Sequence, residues 1–158
     1  MPVDNDEFRT TLSRFASGVT IVTTRDTDGH PYGMTVSAFC SLSLEPPLVL
    51  ICIDKKAFSH QALEHSGAFA VNILAEDQEL TSRRFASPES DRFEGIAYRT
   101  GIADVPVLEH SLASLECRLT QTHDGGDHTI FVGAVEAVTF HDGTPLVYFK
   151  GGYARLTL

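Results

Sequence analysis

The sequence has no tryptophan, only two methionines and three cysteines, and few basic residues: 12 Lys and Arg against 21 Asp and Glu, for a formal net charge of −9. Each shortage removes a class of function. A surface that acidic lacks the positive footprint that nucleic-acid phosphates require. Cys40, Cys52 and Cys117 are an odd number, show no CxxC spacing and all fall in strand-like runs, which fits buried, reduced thiols better than a disulfide scaffold. No apolar stretch approaches the roughly 20 residues of a membrane-spanning helix. The chain opens Met1-Pro2-Val3-Asp4, with acid where a secretory leader carries base. A soluble cytoplasmic protein is expected. There is neither a GxGxxG dinucleotide loop nor a Walker A loop, and no Ser/His/Asp or Cys/His set stands out. His60 and His65 are five apart, off the i, i+4 spacing, and His123 and His128 bracket a turn, so no metal is expected.

What is present is an ordinary globular balance, 42% hydrophobic and 21% charged residues over 158 positions. That length suits one domain, residues 1–158, burying roughly 70% of its unfolded surface. Asp4 to Ala16 reads as a helix, with Asp4 and Glu7 as a capping box, Phe8, Leu12 and Phe15 on one face, and Gly18 as the stop. Val19 to Thr24 is a β-branched strand, and Asp28-Gly29 turns it into a strand from Gly33 to Phe39. Pro46-Pro47 precedes Leu48 to Ile53, apolar throughout like a strand buried on both faces. Ser59 to Ser66 reads as a helix with Ser59 as N-cap and Gly67 past its end; Phe69 to Leu74 is a strand. Glu76 to Phe85 is a third helix ending in Arg83-Arg84, and Ser87 to Gly101 is loop. Leu115 to Thr122 alternates, with Leu115, Cys117 and Leu119 facing one way and Glu116, Arg118 and Thr120 the other. Asp124 to Asp127 turns the chain into His128 to Phe140, and Asp142-Gly143 into Leu146 to Lys150. About seven strands and three short helices make a mainly antiparallel sheet, and barrel closure is the economical way to remove its edges.

Within Gly33 to Ser43, Thr35, Ser37, Ser41 and Ser43 recur at period two and so share one face of an extended segment. That row is either a solvated strand face or a set of donors and acceptors for a flat polar ligand lying along the backbone. Six of the twelve basic residues fall between positions 55 and 99: Lys55, Lys56, Arg83, Arg84, Arg92 and Arg99. Lys56 and the helix start at Ser59 would together hold a phosphate. Arg83 and Arg84 have a second explanation, complementing the helix dipole for about 0.3–1 kcal/mol.

The block Gly33-Met34-Thr35-Val36-Ser37-Ala38-Phe39-Cys40-Ser41-Leu42-Ser43, followed by Glu45-Pro46-Pro47-Leu48-Val49, resembles the signature of the short flavin reductases. These are the small reductase components of two-component flavin monooxygenases, built on the FMN-binding split barrel. A second block, Gly126-Asp127-His128-Thr129-Ile130-Phe131-Val132-Gly133, is similar to the family's other hallmark, and the likeness runs from about Phe8 to Leu156.

The resemblance implies a mainly β, antiparallel split β-barrel with about three short peripheral helices, and a homodimer. It implies an NAD(P)H:flavin oxidoreductase passing hydride from NADH or NADPH to FMN or FAD. Reduced flavin would then diffuse to a partner monooxygenase. Met34, Thr35, Val36, Ser37, Ala38 and Ser41 would floor the flavin ring, with Cys52 beneath it unless that residue is a small core hydrophobe. Lys56, Ser59, Arg83, Phe85 and Arg92 would line the phosphate and ribityl side, although His60 stands where the family often has Thr. His128 and Tyr153 would border the nicotinamide, bound transiently rather than in a Rossmann domain. No catalytic acid or base is implied, because hydride transfer rests on ring positioning, with reacting atoms about 3–3.5 Å apart. Two alternatives stay open: a split-barrel oxidase or reductase with a tightly bound flavin or deazaflavin, and a non-catalytic flavin-binding module. The choice of flavin, of nicotinamide and of oxygenase is not written in these residues.

Overall fold

The computed structural model describes residues 3–158, so the Met1-Pro2 start of the acidic opening lies outside the described residues. The elements are α1 (Asn5–Leu12), β1 (Ser17–Gly18), β2 (Thr20–Arg25), β3 (Pro31–Val36), β4 (Phe39–Leu44), β5 (Pro47–Asp54), α2 (Phe58–Ser66) and β6 (Ala68–Ile73). They continue with α3 (Glu79–Ala86), β7 (Tyr98–Thr100), β8 (Pro106–Leu108), β9 (Ala113–Gly125), β10 (His128–Phe140), β11 (Leu146–Phe149) and β12 (Gly152–Arg155). Every strand pairing among the described residues is antiparallel. A seven-stranded sheet has the order β3-β2-β6-β9-β10-β5-β4; β1-β11-β12 form a second sheet and β7-β8 a ribbon. The mainly antiparallel fold with three short helices is as expected. Among the described residues the strands number twelve rather than about seven: β1, β7, β8 and β12 are only two to four residues long and carry no readable period, and β4 is a separate strand because the chain leaves β3 at Ser37-Ala38. β3 and β4, the two edges of the large sheet, are consecutive in the chain and joined by Ser37 and Ala38 alone.

Local chemistry accounts for the hairpins. Asp26 closes the β2–β3 turn by accepting from the Asp28 and His30 N–H groups, both at 2.9 Å, and Gly29 takes a φ of +85°. Gly126 supplies the φ of +82° that turns β9 into β10. The inner strand β6 is the most deeply placed, with Ala68, Phe69, Ala70, Val71 and Asn72 all fully buried. Asn72 pins four elements there. Its Nδ2 donates to Ile21 O at 2.9 Å and to the Thr23 hydroxyl at 3.1 Å; its Oδ1 accepts from Leu108 N and the Ser114 hydroxyl. One core cluster gathers Val22, Ile51, Ile53, Leu63, Phe69 and Phe131; another gathers Ile21, Leu74, Phe85 and Leu146. Burying each such side chain contributes about 1.5–3 kcal/mol.

Three expectations need correction. α1 ends at Leu12, not Ala16, because Ser13 O accepts from Lys150 N at 2.9 Å and the chain passes into β1, whose Gly18 pairs with Val147. Its N-cap is Asp4, as expected, but Phe8, Leu12 and Phe15 are 51%, 55% and 82% exposed. β5 is not buried on both faces: Val49, Ile51 and Ile53 enter the core, while Leu48, Leu50, Cys52 and Asp54 are half-exposed. The polar face of β9 is not simply solvated, since Glu116 is buried, accepting from Arg99 Nη2 at 2.6 Å and from Ile102 N at 2.8 Å.

Gly133, in the second motif, has a tertiary reason to be glycine. A Cβ there would lie 2.5 Å from Phe69 Cζ and 2.8 Å from Cys117 Cβ. Gly133→Ala is expected to lower stability by about 1–3 kcal/mol through overpacking, measured as a fall in the denaturant midpoint. An unchanged midpoint would contradict that packing.

Candidate active site

The joint between the two sheet edges is the most open stretch of small residues near the core. Ser37 and Ala38 are exposed, and their carbonyls are fixed from either side: Phe39 N donates to Ser37 O at 2.9 Å and Cys52 N to Ala38 O at 3.0 Å. Exposed small residues here make a shelf where β3 passes into β4, beside Cys52 of β5. The expected row of hydroxyls on one face does not survive. The period breaks at Ser37-Ala38, and again at the register shift between Ser41 and Ser43 in β4. Thr35 turns its hydroxyl to α3, donating to Ser82 O at 2.6 Å. Val36 is in the core and Met34 packs against it, so Met34, Thr35 and Val36 present backbone, while Ser37, Ala38 and Ser41 present surface. Cys52 stands half-exposed on the outer face of β5; burial, then the neighbouring Cys40, pushes its thiol pKa up.

Beyond the shelf, β5 runs into Lys55, Lys56 and the start of α2. The N-cap is Ala57, in extended backbone and with no side-chain cap; Ser59 lies inside the first turn and is buried, contrary to its expected capping role. The first-turn N–H groups of α2 are therefore left for solvent or an anion. Lys56 is exposed and makes no ion pair among the described residues, whereas Lys55 is engaged by Asp124 and by Gly126 O. His128 pairs with Asp54 across β10 and β5, which brings it beside this lysine-rich corner. Its Nδ1 meets Asp127 Oδ1 at 2.7 Å, and that hydrogen bond, then the imidazole's charge, holds the Asp127 carboxyl below its ordinary range.

The arginine-bearing residues divide. Arg83 is exposed, donates to Glu79 Oε1 at 2.8 and 3.1 Å and stacks 4.8 Å from the Tyr153 ring centre. Tyr153 meets the Ser82 hydroxyl at 2.7 Å, so Tyr153, Ser82 and Thr35 form one linked corner. Phe85 cannot offer its ring to a ligand: it is fully buried, and its Cε1 would lie 2.6 Å from a Cβ on Gly33. Arg92 is engaged by backbone, donating to Gly33 O at 2.8 Å and to Ser87 O, and Arg84 holds the same loop through Arg92 O and Asp91 O. These contacts shape a cavity of about 480 Å³ framed by the start of β3, the start of α2 and residues 88–93. Tyr32, Phe58 and Phe93 in its wall escaped the sequence reading; single aromatics at element ends carry no periodic signal. Among the described residues, one trio, Asp26, Asp28 and His30, brings carboxylate and imidazole atoms within 4.8 Å, on the exposed β2–β3 turn.

Comparison with known proteins bears on this shelf. The flavin reductase like domain model matches residues 12–157. The chain is 45% identical over 155 residues to the flavin-dependent monooxygenase reductase subunit HsaB of Rhodococcus jostii (strain RHA1), covering 98% of this chain and 79% of that protein. It is also 45% identical over 157 residues to the flavin reductase (NADH) of Kitasatospora aureofaciens, covering 97% and 82%. Among solved structures, the NADH:FAD oxidoreductase SgcE6 of Streptomyces globisporus C-1027, in complex with NAD and FAD fragments, superposes with a TM-score of 0.92 at 36% identity, covering 99% of this chain and 97% of that one.

The three cysteines, all free, sit at three depths: Cys40 exposed, Cys52 half-buried, Cys117 buried. Only Cys117 is the buried thiol expected of all three; its pKa is pushed up to about 12 by burial, then by Glu116 and Glu136. Iodoacetamide at pH 8 is expected to modify Cys40 first, Cys52 more slowly, and Cys117 only after denaturation, as read by peptide mass mapping. The stability that Cys117 contributes is fully present below the unfolded thiol's value, about 8.5, and is lost as pH rises through about 12. Modification of Cys117 together with Cys40 in the native protein would contradict this placement.

Proposed function

The chain belongs to the flavin reductase-like domain family, and from that premise we propose that it is an NADH-dependent flavin reductase whose shelf at Ser37-Ala38 receives the flavin ring. The observation that carries this reading is the open backbone between two sheet edges, with an uncapped helix start and a free lysine one strand-end away. Those residues fit a flavin. Backbone N–H and C=O groups of Met34 to Ala38 match the polar rim of the ring, and Ser41 and Cys52 flank it with small surfaces. Lys56 and the α2 amides, including that of Ser59, hold a phosphate. Bound flavin supplies the hydride acceptor for a reduced nicotinamide. The chain's own part is to hold both rings in register and exclude water, and no residue need move a proton. His128, held at Nδ1 by Asp127, would accept from the carboxamide amine of the nicotinamide partner through Nε2 or, as an imidazolium, donate to a phosphate oxygen; Tyr153, braced by Ser82 and Arg83, would border the nicotinamide as well. Arg92 acts by shaping the β3 edge rather than by touching phosphate.

The finer architecture follows the same lines. In a flat seven-stranded sheet the edges would lie roughly 29 Å apart, whereas the Val36-to-Phe39 connection spans at most about 10 Å. This supports a sheet rolled into a split barrel, with Ser37-Ala38 at the split. One domain over residues 1–158 fits a core whose two clusters share β2, through Val22 and Ile21. A second copy of the chain would cover the exposed Phe8 and Leu12 of α1, Phe15 just beyond it, and the outer face of β5, giving a homodimer. Reduced flavin would diffuse to a partner monooxygenase. Free cysteines favour a reducing cytoplasm, and among the described residues no helix is long and apolar enough to cross a membrane.

Purified protein with NADH is expected to bleach the visible absorbance of added flavin catalytically; no bleaching with either nicotinamide and either flavin would refute the reading. Flavin retained through gel filtration would favour a tightly bound cofactor instead. His128→Ala is expected to raise the KM for NADH about three- to ten-fold, the loss of one hydrogen bond, with kcat retained. An unchanged KM would remove His128 from the nicotinamide site.

A further inference from the structure

We propose that Cys40 and Cys52 are a thiol pair that hydrogen peroxide oxidises to a disulfide, and that this bridge closes the shelf to flavin. The proposal rests on the flavin reductase reading and adds a regulation to the same site. Cys40 stands directly opposite Leu50 in the β4–β5 pairing, and Leu50 and Cys52 are two apart on β5. Both thiols therefore leave the same face of the sheet. Cys52 N donates to Ala38 O at 3.0 Å, and Cys40 follows Ala38 by two residues, so both thiols border the joint. Diagonal neighbours across an antiparallel pair lie about 7–8 Å apart between Cα atoms. A disulfide spans roughly 4.4–6.8 Å between Cα atoms, so closing it takes a shift of about 1 Å. β4 can make that shift. It is an edge of the large sheet, paired with β5 alone among the described residues, and its register already slips between Ser41 and Ser43. The shift draws the joint toward β5, and the bridge occupies the face where the rim of a flavin would lie.

The two thiols differ as an attacking and a resolving cysteine do. Cys40 is exposed; Cys52 is half-buried, and burial, then Cys40, pushes its thiol pKa up. Cys40 as thiolate is the nucleophile. It breaks the O–O bond of hydrogen peroxide, keeping one oxygen as a sulfenic acid while the other leaves as water. The Cys52 sulfur then attacks the Cys40 sulfur. The S–S bond forms, the S–O bond breaks, and the second oxygen leaves as water with the Cys52 proton. Two thiols lose two electrons and two protons, and one peroxide becomes two waters. The oxidant arises from the activity itself. Reduced flavin that meets dioxygen instead of an oxygenase passes it two electrons and two protons, yielding oxidised flavin and hydrogen peroxide. Peroxide is smaller than the ring the shelf would receive, so a route open to flavin is open to it. Closure stops further flavin reduction while peroxide accumulates, and a thiol reductant reopens the shelf. Cys117 is buried and takes no part.

The test treats the full chain, freed of flavin, with a small excess of hydrogen peroxide. Its thiols are then mapped by mass spectrometry, and its affinity for FMN and for FAD is read from flavin fluorescence. The oxidised chain is expected to be lighter by two hydrogens and to yield a linked Cys40–Cys52 peptide. It should bind either flavin about ten-fold more weakly or worse, the equivalent of one or two lost backbone hydrogen bonds. Dithiothreitol should restore both mass and affinity. Cys40→Ser should keep the parent flavin affinity and NADH turnover, and hold that affinity through the same peroxide treatment. Cys52→Ser should form no bridge and carry added oxygen on Cys40. Both thiols still open to iodoacetamide after peroxide, or a bridge joining two chains on a non-reducing gel, overturns the proposal. So does a mapped Cys40–Cys52 bridge that leaves flavin affinity unchanged. Failure of the untreated chain to bind either flavin would instead refute the flavin reductase reading itself.

Discussion

The covalent joint of two residues, Ser37 and Ala38, between the first and last strands of a seven-stranded sheet is the constraint on which the rest depends. A chain that must cross from one edge to the other in two residues cannot leave those edges far apart. The strands between them must curve, and the place where they meet retains backbone that no neighbouring strand fully covers. Small side chains at the joint follow from the same demand, since a bulky residue there would close the gap. The shelf is thus a by-product of how the sheet is connected.

Packing behind the shelf keeps it open and rigid. Gly33 permits Phe85 and Phe93 to press against β3 from the α3 side. Thr35 and Tyr153 are both tied to Ser82, so α3 holds the floor strand and β12 at once. Asn72 fixes β2, β6, β8 and β9 together in the core beneath. Arg84 and Arg92 hold the loop that forms the far wall of the cavity. Rigid walls of this kind suit a reaction in which two flat rings need only be aligned, because every freedom removed from them beforehand lowers the barrier.

Much of this was legible in the residues, wherever the controlling interaction is local. The Asp28-Gly29 and Asp124–Gly126 turns, the β-branched run of β2, and the bounds of β10 all follow from neighbours in the chain. So does Gly67, whose φ of +70° ends α2. What the residues alone concealed depends on distant partners. Ser59 reads as an N-cap by type, yet Ala57 takes that place and Ser59 is drawn inward. Phe85 and Arg92 carry groups suited to a cofactor, but one is core and the other holds backbone carbonyls. The hydroxyl row of Thr35, Ser37, Ser41 and Ser43 assumes a single straight strand, and the joint at Ser37-Ala38 breaks it. Backbone exposure, not aligned hydroxyls, distinguishes the joint.

Amide hydrogen exchange with and without saturating flavin addresses the central claim most directly, because it reports on the backbone of the shelf itself. Slowed exchange concentrated at residues 34–38 and 52–59 is the predicted result. Unaltered exchange across those two segments, with protection appearing elsewhere in the chain, would contradict the account.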